Sequence, residues 1–136
     1  MSDVSRQLTH AYRQQAERYG QIRELVRRQQ QVMDEAPDPG AVLALCRQVE
    51  DLMAEIAVIE RAIEPAKRFW AEHPEDPDGE LDAVLKSVED MIQEIGRTQE
   101  QVQQGLLDFV QQERARSEAA RASMMASRAR TLYKAG

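Results

Sequence analysis

A chain of 136 residues suffices for one compact domain, and its net charge of −6 argues against a general nucleic-acid binder, which would be basic overall. Charged side chains make up 31% of it and aromatics 4%, the balance of long helices or coiled coils. No apolar run approaches the roughly 18 residues of a membrane span. One cysteine, Cys46, allows no intramolecular disulfide and fits a reducing cytoplasm, as does a start, "MSDVSRQLTH", without a secretory pattern.

The first predicted element is a helix over about residues 4–34. Leu8, Tyr12, Tyr19, Ile22, Val26 and Met33 recur at helical spacing, with Gln15 and Gln29 on the same stripe. Two glutamines in a seam cost stability but can fix its register. "DEAPDPGA" at 34–41 then breaks the chain. Pro37 and Pro39 push the residues before them out of the α region, and Asp38 followed by Pro39 makes a good N-cap and first helical position.

The second predicted helix runs over about 39–70. Leu45, Leu52, Ile59 and Ala66 recur every seventh residue, and so do Val49, Ile56, Ile63 and Trp70. That is an a/d seam of nearly four heptads. Pro65 lies inside it, so a bend is expected there, with the heptads carrying on across it. The second break is "AEHPEDPDGELD" at 71–82. Its "DPDGELD" superficially resembles a calcium loop. Counted from Asp76, however, Gly79 falls at the fourth place rather than the sixth, and Ser87 stands where the bidentate glutamate belongs. It reads as a helix start, with Asp78 as cap and Glu80 and Asp82 at the positive end of the helix dipole.

The third predicted helix opens at about residue 79. Its expected seam is Leu81, Val88, Ile95, Val102 and Phe109, with Leu85, Ile92, Gln99 and Leu106 as the second row. Short turns make successive helices antiparallel. The first two would be about 45 Å long, while a third reaching residue 133 would be about 80 Å, at 1.5 Å per residue. The fold expected is therefore all-α: an antiparallel three-helix bundle or coiled coil over 1–110, with an overhanging amphipathic C-terminal helix over 111–136.

That overhang has its own character. It carries six basic and two acidic side chains, a net +4 that leaves −10 for residues 1–110. Ala115, Ala119, Ala122, Ala126, Ala129 and Tyr133 follow the 3–4 spacing, and Met125 and Leu132 widen the stripe on one side. Alanine brings little apolar area, so the stripe cannot by itself offset the cost of ordering the chain. The tail is expected to fray when free and to fold against something else, with methionines that adapt to irregular surfaces. The partner-binding candidates are Ala122, Met125, Ala126, Ala129, Leu132 and Tyr133. A plain exposed helix end, or packing on a second copy, would use the same residues.

Residues for chemistry are missing. His10 and His73 stand in separate segments, and neither has a carboxylate at metal-helix spacing. A single cysteine excludes the usual zinc sites. Cys46 beside Leu45 reads as a core thiol. There is no glycine-rich phosphate loop. No enzyme, cofactor or metal is expected.

Three stretches carry a resemblance. The end, Tyr133-Lys-Ala-Gly136, has the form Y-x-x-G. The stretch "TQEQVQQGLLDFVQQER" at 98–114 places Leu106 and Leu107 in a polar-then-Leu-Leu pattern, and "VEDLMAEIAVIERAI" at 49–63 is a heptad-rich core segment. Together they resemble the FlgN family, export chaperones for the hook–filament junction proteins of the bacterial flagellum. The likeness covers most of residues 8–136. It implies a cytoplasmic type III secretion chaperone whose C-terminal helix binds a terminal amphipathic helix of a hook-associated protein and presents it to the export apparatus. The rival expectation is a structural coiled-coil adaptor or homodimer without chaperone activity.

Overall fold

A computed structural model describes residues 3–135, and among them there is no strand. Four helices follow one another: α1 (Asp3–Glu35), α2 (Pro39–Ala62), α3 (Glu64–Glu72) and α4 (Glu80–Ala135). The first break behaves as its residues dictate. Asp38 is extended, its carboxylate accepts from the Ala41 amide at 3.2 Å, and Pro39 opens α2.

The second arm is corrected from one bent helix to two. Pro65 has no N–H to offer the Arg61 carbonyl, and its ring crowds that carbonyl. The helix therefore closes early: the Ile63 amide donates to the carbonyls of both Ile59 and Glu60 at 3.3 Å. A new helix starts at Glu64, with the proline in its first turn, where a missing N–H costs nothing. The heptads still carry across the break. Ile63 and Ala66 are buried together with Leu8, Ala11 and Leu81, and Trp70 packs against them.

The connection into α4 is capped more heavily than the sequence suggests. Asp76, rather than Asp78 alone, does most of it. Its two carboxylate oxygens accept from the Leu81 and Asp82 amides, while Asp78 accepts from Glu80. Gly79 supplies the positive φ, 73°, that the turn requires. The Glu75 carbonyl accepts from both the Ser5 hydroxyl and the Trp70 indole, so this loop is tied to the start of α1.

Three buried clusters run along the body, each drawn from three helices. One joins Leu8, Ile63, Ala66 of α3 and Leu81, a second Ile22, Val26, Ile56 and Ile95, and a third Met33, Val42 and Val102. Residue numbers rise together along α1 and α4 and fall along α2, so α1 and α4 are parallel and α2 is antiparallel to both. The three-helix body thus stands as expected, but α1 is its central member. α1 packs on α2, α3 and α4, while α2 and α4 make little close backbone approach to each other.

That placement explains two departures from the seams read above. α1, the segment with the poorest pattern, is the most enclosed, since it must bury two faces. It does so with Ser5, Thr9, Gln15 and Gln29 among its buried residues. In α4, the row beside Leu81, Val88, Ile95 and Val102 is corrected. Met91 is buried and Val84, Thr98 and Gly105 half-buried, whereas Leu85, Ile92 and Gln99 are exposed; of the expected row, Leu106 alone is half-buried, against Met33, Val42 and Val102. The body meets α4 through α1, on one side of the seam, and the opposite side faces a gap where α2 does not reach.

Candidate functional site

Beyond Phe109 the body ends and α4 goes on alone. From Val110 to Lys134 every residue is exposed, yet the helix is unbroken to Ala135. Two properties of these residues suit a continuous helix here. Ala, Arg, Met and Glu favour helix, and a helix already formed needs no new nucleus to extend.

The six candidate residues all lie on this overhang. Ala122, Ala126, Ala129 and Tyr133 share one face, and Met125 and Leu132 lie at its edge, so the set spans roughly a third of the circumference at 3.6 residues per turn. Met125 is 65% exposed, Leu132 69% and Tyr133 89%. They form a stripe of apolar side chains with no partner among the described residues. Gly136, the last residue of the Tyr-x-x-Gly ending, lies outside the described residues.

Sequence reasoning missed a second surface, the gap between α2 and α4. Its floor is Tyr19 and Ile22 of α1, and its walls are Val49 and Met53 on one side and Ile92, Ile95, Gly96 and Gln99 on the other. Toward the α3 end a separate hollow between α3 and α4 is lined by Leu8, Tyr12, Lys67, Trp70, Leu81 and Leu85. The signal was present in the heptads: a helix carrying three apolar rows, not two, has one row to spare.

A polar network joins α1, α2 and α3, with Lys67 at the edge of the second hollow. Gln15 donates to one oxygen of Glu60 at 3.0 Å, and Lys67 donates to the other at 3.1 Å. Burial pushes the Glu60 carboxyl up, but the hydrogen bonds from Gln15 and Lys67, the Lys67 charge and a hydrogen bond from Tyr12 together hold it below its ordinary value. The bond to Glu60 holds Lys67 up, and burial raises the Tyr12 hydroxyl. Gln15, which reads as a seam glutamine, thus satisfies a carboxylate inside the body. Gln29 does the same for α2, donating to the Val42 carbonyl and to Cys46 Sγ. Cys46 is half-buried rather than fully enclosed.

A depressed carboxyl contributes stability that is fully present above its unfolded value and is lost as the pH falls through the folded one. Glu94, held down by its bond from Arg27, adds to the same trend. The protein is therefore expected to lose stability steadily as the pH drops through and below the ordinary carboxylate range. Glu60→Gln should be less stable than the parent at neutral pH and flatter across that acid range, as measured by urea midpoints at several pH values. A parent midpoint independent of pH from 6 to 3 would remove Glu60 from this role.

His73 closes α3 and stacks on Phe69, with centroids 4.9 Å apart. No group of three or more His, Cys, Asp or Glu among the described residues is placed to hold a metal ion. No described helix is long and apolar enough to cross a membrane. The chain is thus an all-α bundle with one long overhanging helix, and its unsatisfied surfaces are apolar. No family model, curated protein or solved structure matches it.

Proposed function

We propose that this protein is a cytoplasmic chaperone of the FlgN type, which binds terminal amphipathic helices of flagellar hook–filament junction proteins through α4 and hands them to the export apparatus. The observation that carries this reading is the overhang: about seven turns of helix, by 3.6 residues per turn, with an adaptable apolar stripe and no partner among the described residues. A stripe of Met and Leu between small residues suits the pairing of one helix with another. The residues support a binding role rather than a catalytic one.

The test is calorimetric titration of the parent and of the Met125→Ser/Leu132→Ser variant against synthetic terminal helices of junction proteins. Each of these side chains gives about 1.5–3 kcal/mol on full burial, so their joint loss should weaken binding by at least about a hundredfold. Arg128 and Arg130 should act mainly on the association rate and its salt dependence. Equal affinities for parent and variant would remove the tail as the binding element. The adaptor reading draws on a different observation, the spare row of α4.

A further inference from the structure

The spare row is longer than the groove. Leu85, Ile92, Leu107, Val110, Met125 and Leu132 are all exposed, on both the body and the overhang. They fall within about 60° of arc on one straight helix at 3.6 residues per turn. Their order along the helix is palindromic. About the point between Asp108 and Phe109, Leu107 mirrors Val110, Ile92 mirrors Met125, and Leu85 mirrors Leu132. The other positions on the same face are compatible with that symmetry. Glu89 mirrors Arg128, Gln103 mirrors Arg114, Gln99 mirrors Glu118, and Gly96 mirrors Arg121. No position opposes a like charge.

We propose that two copies of this chain pair their α4 helices antiparallel about a two-fold axis between Asp108 and Phe109. Each overhang then lies in the groove between α2 and α4 of the other copy and over the hollow between its α3 and α4. Leu132 packs on Leu85, Met125 on Ile92 beside Met53, and the two Leu107–Val110 contacts flank the axis. Gly96 has nothing within 4 Å of where a Cβ would stand, which leaves room for the stem of Arg121. A single two-fold operation makes every contact twice, as an isologous interface requires.

The occupant of the groove is a second copy for three reasons. The overhang cannot fold back on its own body, because α4 has no break and no Pro or Gly from Gln111 to Ala135. Its net +4 complements the −10 of the body. Glu89 and Arg128, which would meet twice, have no ion-pair partner within the chain among the described residues, unlike their neighbours Asp82 with Lys86 and Glu113 with Arg116. Length also agrees: an overhang of 25 residues is about 37 Å long and covers the run from Gln103 back to Leu85, about 27 Å.

This pairing stands apart from the export reading and would hold in a protein with no export role. If both hold, Met125 and Leu132 are used twice over, and a partner helix must displace the second copy. Its apparent affinity then falls as the protein concentration rises.

Light scattering on the full chain is expected to give twice 15.5 kDa at high micromolar concentration. Register is tested in a Cys46→Ser background with Leu85→Cys/Leu132→Cys. These positions lie about 70 Å apart along one helix, so any disulfide must join two copies. Mild oxidation should give a covalent dimer, whereas Leu85→Cys/Met125→Cys, two turns out of register, should not. Glu89→Arg and Arg128→Glu should each weaken the dimer by about three- to tenfold, and the two together should restore it. A monomeric mass at high micromolar concentration, equal cross-linking of both cysteine pairs, or a dimer indifferent to Met125→Ser/Leu132→Ser would each overturn the pairing. A monomer that still binds junction-protein helices would leave the chaperone reading standing. A dimer that binds none would leave the pairing alone.

Discussion

Ile56→Asp is expected to cost at least about 4 kcal/mol, a large fraction of a whole-domain stability of the order of 5–15 kcal/mol. Ile56 is 4% exposed and meets Ile22 and Val26 of α1 and Ile95 of α4 in the middle cluster. Like Val42 in the third cluster, it joins α2 to both α1 and α4. Two losses combine there. Removing the side chain forfeits about 2–5 kcal/mol of burial and packing, and the carboxylate that replaces it sits among Ile22, Val26 and Ile95, which offer no cation or donor. The carboxylate would escape part of this cost by holding its proton. A buried Asp has a raised folded pKa, so its burden is lightest in acid and grows as the pH rises through the unfolded value. The variant should therefore lose more stability relative to the parent at pH 7 than at pH 4, as read by urea denaturation. Val58→Asp, on the same helix but at a 58% exposed position, should shift stability by no more than about 0.5 kcal/mol. If both variants melt alike, the register of α2 on α1 is wrong.

Removal of residues 111–136 is the second large effect, and its largest consequence lies in association rather than in folding. The three clusters of the body draw on residues no further along α4 than Phe109. The shortened chain should keep a single cooperative melt, and its lost ellipticity should not exceed the share of the 25 helical residues removed. It should bind no partner helix and should scatter as a monomer. Its melting temperature should no longer depend on protein concentration, since nothing remains to associate. Loss of the cooperative transition would mean that the overhang folds the body, and the division at Val110 would fall.

Much of this was legible in the residues alone. The helices, both breaks and the capped start of α2 follow from local chemistry: a proline forbids a hydrogen bond, an aspartate supplies one, and heptads repeat along the chain. The overhang was legible too, because counting residues between turns reveals a third arm longer than its neighbours. The candidate stripe from Ala122 to Tyr133 could be read because an isolated helix has no tertiary context to override its periodicity.

What the sequence could not decide is which apolar row faces which neighbour. Leu81, Val84, Leu85 and Val88 all look like seam residues of α4, and either of two rows completes a heptad. Only the packing of α4 on α1 chose Val84 and Met91 and left Leu85 and Ile92 exposed. In the same way the pattern marked α1 as the weakest helix, yet it became the central one. Gln15 and Gln29 find Glu60, Val42 and Cys46 across the interface, and a pattern of single residues cannot contain a partner some 13 to 45 positions away. Periodicity states how many faces a helix can bury. Which of them meets a neighbour, and which is left over for another molecule, is settled by how few close approaches three helices of unequal length can make at once.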